Sequence, residues 1–158
     1  MRTVKTGFWQ VYLVLITGVL FGCGDEAGNE PPSVLAASTQ ALCRADGENL
    51  VLDVVDIAVL DFDGAVDVGE GSARVLSTLI ELERSEATYE PPLDEAGQPT
   101  GQSCGLPEAQ CVARYRWQRG NDDPQIFCDE DDMPIVEFSV SDTAGHVLDI
   151  VILAKTEG

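Results

Sequence analysis

Cys111-Val112-Ala113-Arg114-Tyr115-Arg116-Trp117-Gln118 is the stretch on which the fold class turns. Small and aromatic residues at the odd positions alternate with Val112, Arg114, Arg116 and Gln118 at the even ones, which is the period of two of a strand with one buried face. Tyr115 and Trp117 are therefore expected in a core. Working outward, Gly120-Asn121-Asp122-Asp123-Pro124 supplies turn residues, and Gln125 to Cys128 is expected to return as the hairpin partner of the first strand. Val136, Phe138 and Val140 alternate with Glu137, Ser139 and Ser141. After the turn Asp142-Thr143-Ala144-Gly145, Val147 to Leu153 follows with Leu148, Ile150 and Ile152 on one side. Toward the amino end, Leu50 to Leu60 is β-branched and apolar on both faces, interrupted by Asp53 and Asp56, which suits a strand that bulges or crosses between sheets. Val75 to Arg84 fits a strand through Leu76, Thr78, Ile80 and Leu82 better than a helix starting at Ser72. Six or seven short strands separated by Gly, Pro and Asp turns predict an all-β protein built as an antiparallel β-sandwich.

The amino terminus has a different composition. Arg2 and Lys5 are the only charges before Asp25, and the apolar core Val11-Tyr12-Leu13-Val14-Leu15-Ile16 lies between them and Cys23. That stretch falls short of the roughly 20 residues of a membrane span and reads as an export signal over residues 1–22. Leu20-Phe21-Gly22-Cys23 resembles the lipobox of bacterial lipoproteins. The resemblance implies that Cys23 is acylated and becomes the first residue of the mature chain, held on a membrane by its acyl chains. Gly24 in the next position points toward the outer membrane or cell surface. Residues 24 to about 42, with Pro31-Pro32-Ser33, read as a flexible tether, so the chain divides into signal (1–22), lipidated tether (23–42) and acidic domain (43–158).

With the signal removed, 7 basic residues face 28 acidic ones, a net charge of −21. Such a chain repels nucleic acid, which is excluded as a partner. The expected partners are the membrane, through the anchor, and an envelope or extracellular protein or polysaccharide. Export puts Cys43, Cys104, Cys111 and Cys128 in an oxidising compartment, where four cysteines imply two disulfides. No C-x₂-C pair is present to favour zinc. Of three connectivities, Cys111 with Cys128 and Cys43 with Cys104 is preferred because Cys111 and Cys128 flank the expected hairpin; the local pair Cys104 with Cys111 is the close alternative.

Tyr115-Arg116-Trp117, Val140-Ser141-Asp142-Thr143-Ala144-Gly145-His146 and Val59-Leu60-Asp61-Phe62-Asp63-Gly64 resemble the core aromatic strand and the strand-turn motifs of immunoglobulin-like sandwiches in bacterial surface proteins, PKD-type and cadherin-like modules among them. The resemblance implies a fold and no activity. Asp61, Asp63, Asp67 and Glu70 surround one glycine-bearing turn and could supply oxygen ligands to calcium, the one cofactor the sequence suggests. The spacing is not that of an EF-hand, and solvated acidic turns, there and at Asp129-Glu130-Asp131-Asp132, are the preferred reading. Arg114 and Arg116, with Arg119, offer forked donors to a carboxylate-bearing partner, though ion pairs with Asp122, Asp123 and the 129–132 run are the default. His146, the sole histidine, follows a turn glycine as an exposed hairpin residue would, and no G-x-S-x-G elbow occurs. The sequence thus predicts a non-enzymatic binding or structural module, with a calcium-stabilised adhesion module or a small carboxylate-dependent hydrolase as alternatives.

Overall fold

The computed structural model describes residues 30–102, 104, 110–129 and 131–157. The signal, Cys23 and the first residues of the tether lie outside that range. Ten strands are described: β1 (Ser33–Val34), β2 (Gln40–Asp46), β3 (Asn49–Leu60), β4 (Ser72–Val75), β5 (Thr78–Ile80), β6 (Glu83–Ala87), β7 (Val112–Gln118), β8 (Ile135–Ser141), β9 (Val147–Leu153) and β10 (Lys155–Thr156). They form two sheets. The larger runs β10-β2-β3-β7-β6, with β1 also paired to β3, and the smaller runs β5-β4-β8-β9. The protein is the all-β sandwich with two disulfides that the strand pattern predicts, antiparallel throughout except where β10 lies parallel to β2.

β3 organises the larger sheet. Leu42 is opposite Val54 while Cys43 is opposite Leu52, so Asp53 is an extra residue, a β-bulge that shifts the alternation along a 12-residue strand. On one side of the bulge Leu52 faces the core, and on the other Val55, Ile57 and Val59 do. Of the two alternatives for Leu50 to Leu60 the bulge is present, at Asp53, whereas the crossing between sheets belongs to β9 and β10, which join different sheets on either side of the buried Ala154. Gly47, at a φ of +65°, opens the two-residue turn from β2 to β3, a conformation that a side chain resists.

The core lies between the sheets. Tyr115 of the larger sheet and Phe138 of the smaller meet there with ring centroids 5.0 Å apart, and the Tyr115 hydroxyl donates to the Gly69 carbonyl at 2.6 Å. A Cβ on Gly71 would stand 2.4 Å from the Phe138 ring, so the chain between the two sheets passes these rings as glycine. Arg84 points inward from β6, donates to the carbonyls of Ala65 and Val68, and pairs with Glu86 at 2.9 Å. A second, smaller cluster of Ala58, Leu60, Cys111 and Val112 lies on the outer face of the larger sheet beneath Leu35, Phe62 and Tyr89.

Four expectations are corrected. The tether reading for residues 23–42 does not extend past Pro32, because β1 pairs with the end of β3, Leu35 donates its N–H to Ala58, and Ala41 is 1% exposed. Val75 to Arg84 is extended but not one strand: β4 and β5 form a hairpin around Leu76 and Ser77, and β6 moves to the other sheet. Gln125 to Cys128 does not fold back on β7. Leu52 donates to Ile126 and Cys128 donates to Leu50, so the segment continues the β7 line along β3 after the excursion 119–125. The preferred disulfides therefore do not form; Cys43 bonds to Cys128 and Cys104 to Cys111.

Candidate functional site

The even-numbered residues of β7 project from the outer face of the larger sheet, as their alternation predicts. Register sets their neighbours. Arg116 is opposite Asp56 on β3 and Glu83 on β6, and Arg114 is opposite Ala58 and Ser85. Arg116 approaches Asp56 at 3.7 Å, a loose and solvated ion pair worth under about 1 kcal/mol. Arg114 is exposed and makes no hydrogen bond or ion pair with any described residue. Both arginines line a groove of about 390 Å³ whose other walls include Ser38, Gln40, Asp56 and Ser85. A planar guanidinium with free donors, beside hydroxyl and amide groups, is suited to holding a carboxylate through two parallel hydrogen bonds.

Arg119 is not part of this groove. It bonds Asp46 at 2.9 Å and lies 3.9 Å from Asp53, while Arg44 reaches Asp53 at 2.9 Å and also bonds Glu157. The arginines thus find carboxylates on β2, β3 and the carboxy-terminal segment instead of on their own turn. Sequence proximity to Asp122 and Asp123 misled because β7 lies against β3 and β6. The Asp129 carboxylate accepts the Asp131 N–H at 3.1 Å, which makes that acidic run a self-capped turn.

The carboxylates named as calcium ligands are not gathered. Asp63 accepts the Glu30 N–H at 2.9 Å, Asp61 accepts the Asp63 N–H at 2.9 Å, and Glu70 points to solvent. Among the described residues no group of three or more His, Cys, Asp or Glu side chains is placed to hold a metal ion. Burial raises the Asp61 carboxyl above its ordinary value, opposed by the Asp63 N–H and reinforced by Asp63, Asp67 and Asp142. A raised carboxylate opposes folding at neutral pH and is relieved as pH falls. Thermal melts recorded with millimolar Ca²⁺ and with chelator are expected to superimpose. A rise of several degrees in Ca²⁺ would return Asp61, Asp63, Asp67 and Glu70 to the role of ligands.

At the same end of the sandwich, His146 is half-exposed, and its Nδ1 lies 2.6 Å from the nearly buried carboxylate of Asp142. The Asp142 carboxylate also accepts the His146 N–H at 2.7 Å, closing the turn between β8 and β9. Burial works against the Asp142 charge, but the hydrogen bonds from His146 and Gly145 outweigh it and hold the carboxyl below its ordinary value. The stability this contributes is present above the ordinary carboxylate range and is lost as pH falls through the depressed value. The pair closes a hairpin, and among the described residues no serine or cysteine bonds to it.

Sequence reasoning missed the half-buried, inward-pointing guanidinium of Arg84. The one available signal was an arginine at an inward position of the β6 alternation, between Glu83 and Ser85. It also missed Ser38 and Gln40 as groove walls, since they lay in the segment read as tether. Among the described residues no helix is long and apolar enough to cross a membrane. No protein-family model, curated protein or solved structure significantly matches the chain.

Proposed function

We propose that the protein is a non-catalytic module of the bacterial cell envelope, anchored on the outer membrane or cell surface by lipid on Cys23, that engages a partner protein through a carboxylate held at Arg114. The observation that carries the binding role is an exposed arginine without a partner among the described residues, set in a groove, on a chain whose other arginines on that sheet all reach carboxylates. A local carboxylate fits better than a polyanionic polysaccharide. Long runs of negative charge would meet the field of a chain carrying 28 acidic residues, whereas one carboxylate needs only short-range contact. The anchor is supported by the lipobox-like Leu20-Phe21-Gly22-Cys23 and the apolar run before it.

Crosslinking in intact cells followed by mass spectrometry is expected to recover a specific envelope protein with the wild-type chain and to lose it with Arg114→Glu. That substitution breaks no bond seen in the fold. The same proteins recovered from both would remove the binding role. Metabolic labelling with a palmitate analogue is expected to mark the wild type and not Cys23→Ser; equal labelling, or none, would remove the anchor.

A further inference from the structure

The outer face of the smaller sheet is unlike the rest of this acidic surface. Among the described residues nine large apolar side chains are exposed, and six of them, Leu76, Leu79, Ile135, Val147, Val151 and Leu153, belong to β5, β8, β9 and the β4–β5 turn. Exposed apolar residues scattered singly need no explanation, but a contiguous face of them marks a contact surface. We propose that this face is where a second copy of the chain packs, sheet on sheet, about a two-fold axis parallel to the strands.

The register across the sheet argues for this occupant. Arg74 is opposite Leu79 on β5 and Glu137 on β8, and Glu137 is opposite Val151 on β9. Read across the four strands, the row is apolar, cationic, anionic, apolar. A two-fold axis running between β4 and β8 sets β4 of one copy over β8 of the other and β5 over β9. Each Arg74 then faces Glu137 of the second copy, and each Leu79 faces its Val151. The neighbouring row behaves alike: Ser72, which is opposite Ser139, comes to face Ser139 of the second copy. Within one copy Arg74 and Glu137 form no ion pair with each other or with any described residue, so both charges are free to pair between copies.

Size and charge are consistent with the same occupant. Four strands spaced about 4.8 Å apart, with five or six residues rising about 3.4 Å each, give a footprint of roughly 19 by 19 Å, so two copies bury on the order of 1,000 Å², the lower limit for a specific interface. Aligned sheets pack about 10 Å apart, leaving room for the leucine and valine side chains. The outward residues of these strands carry only Arg74, Glu137 and Asp149, so the face itself is close to neutral. Acids more than about 8 Å from the face are largely screened at physiological ionic strength.

The full chain, expressed in cells with a photoreactive residue in place of Val151, is expected to give a covalent dimer on irradiation, with the crosslink mapping to the β4–β5 hairpin of the second copy. The same residue in place of Asp122, in the exposed excursion 119–125, is expected to give none. Arg74→Glu should reduce the dimer roughly tenfold, and Arg74→Glu combined with Glu137→Arg should restore it. Both side chains are exposed, so the fold tolerates either change. Absence of the dimer, equal yield at position 122, an adduct to a different protein, or indifference to the charge reversal would each overturn the proposal.

Discussion

Phe138→Ala is expected to lower the unfolding free energy by about 3–5 kcal/mol. Phe138 is 2% exposed and lies tilted against Tyr115 between the two sheets, so its removal opens a cavity where they meet. Collapse of that cavity is hindered by what surrounds it. Tyr115 is fixed through its hydroxyl at Gly69, and Gly71 has no side chain with which to fill the space. Urea unfolding with the disulfides intact is the measurement, and the midpoint should fall with little change in the slope. Phe138→Leu, which keeps most of the volume, should cost under half as much. Equal losses for the two variants would contradict the account of the loss as the opening of a cavity.

Joint replacement of Cys43 and Cys128 by alanine is expected to cost about 2–5 kcal/mol, more than joint replacement of Cys104 and Cys111. The two bridges differ in what they close. Cys43 and Cys128 are 85 residues apart and enclose strands β3 to β7, whereas Cys104 and Cys111 are 7 apart. The unfolded chain gains far more freedom when the long loop is released, an entropic loss of about 4–5 kcal/mol against about 2.5 kcal/mol for the short one. Cys43 is buried beside Leu52 in the core, so alanine there also removes packing. Denaturant midpoints of the two double variants, measured side by side, decide the order. A greater loss on removing Cys104 and Cys111 would contradict the account.

The cysteine pairing also shows where reading along the chain reaches its end. Cys111 and Cys128 flank a turn, and if the chain had doubled back there they would have been neighbours. Instead Asp61 donates its N–H to Cys111 while Cys128 donates its own to Leu50, so the two cysteines lie against opposite ends of β3, eleven residues and about 37 Å apart along it. Turn residues at 120–124 correctly marked an interruption of the strand. Only the hydrogen bonds of β3 decided that the chain resumes in the same direction after it.

The groove was half legible for the same reason. Alternation placed Arg114 and Arg116 in solvent and Tyr115 and Trp117 in the core, because side chains of a strand point to opposite faces wherever the strand lies. Which carboxylates neutralise which arginines depends on register between strands distant in sequence: Asp56 for Arg116, Asp46 and Asp53 for Arg119, and none for Arg114 among the described residues. Nothing in the order of residues carries that information. Asp61, Asp63, Asp67 and Glu70 are close in sequence, yet among the described residues no three such side chains are placed to hold a metal ion.

By itself, then, the sequence determined the local quantities: the period of two in β7, β8 and β9, the turn at 142–145, and the surplus of acidic residues. Each follows from covalent geometry or from simple addition of charge. The tertiary structure alone decided the cysteine partners, the packing of residues 33–42 onto the larger sheet through β1 and β2, and the lack of a partner for Arg114 among the described residues. These depend on which strands become neighbours, and that is set by the burial of two sheets against each other over long separations in the chain.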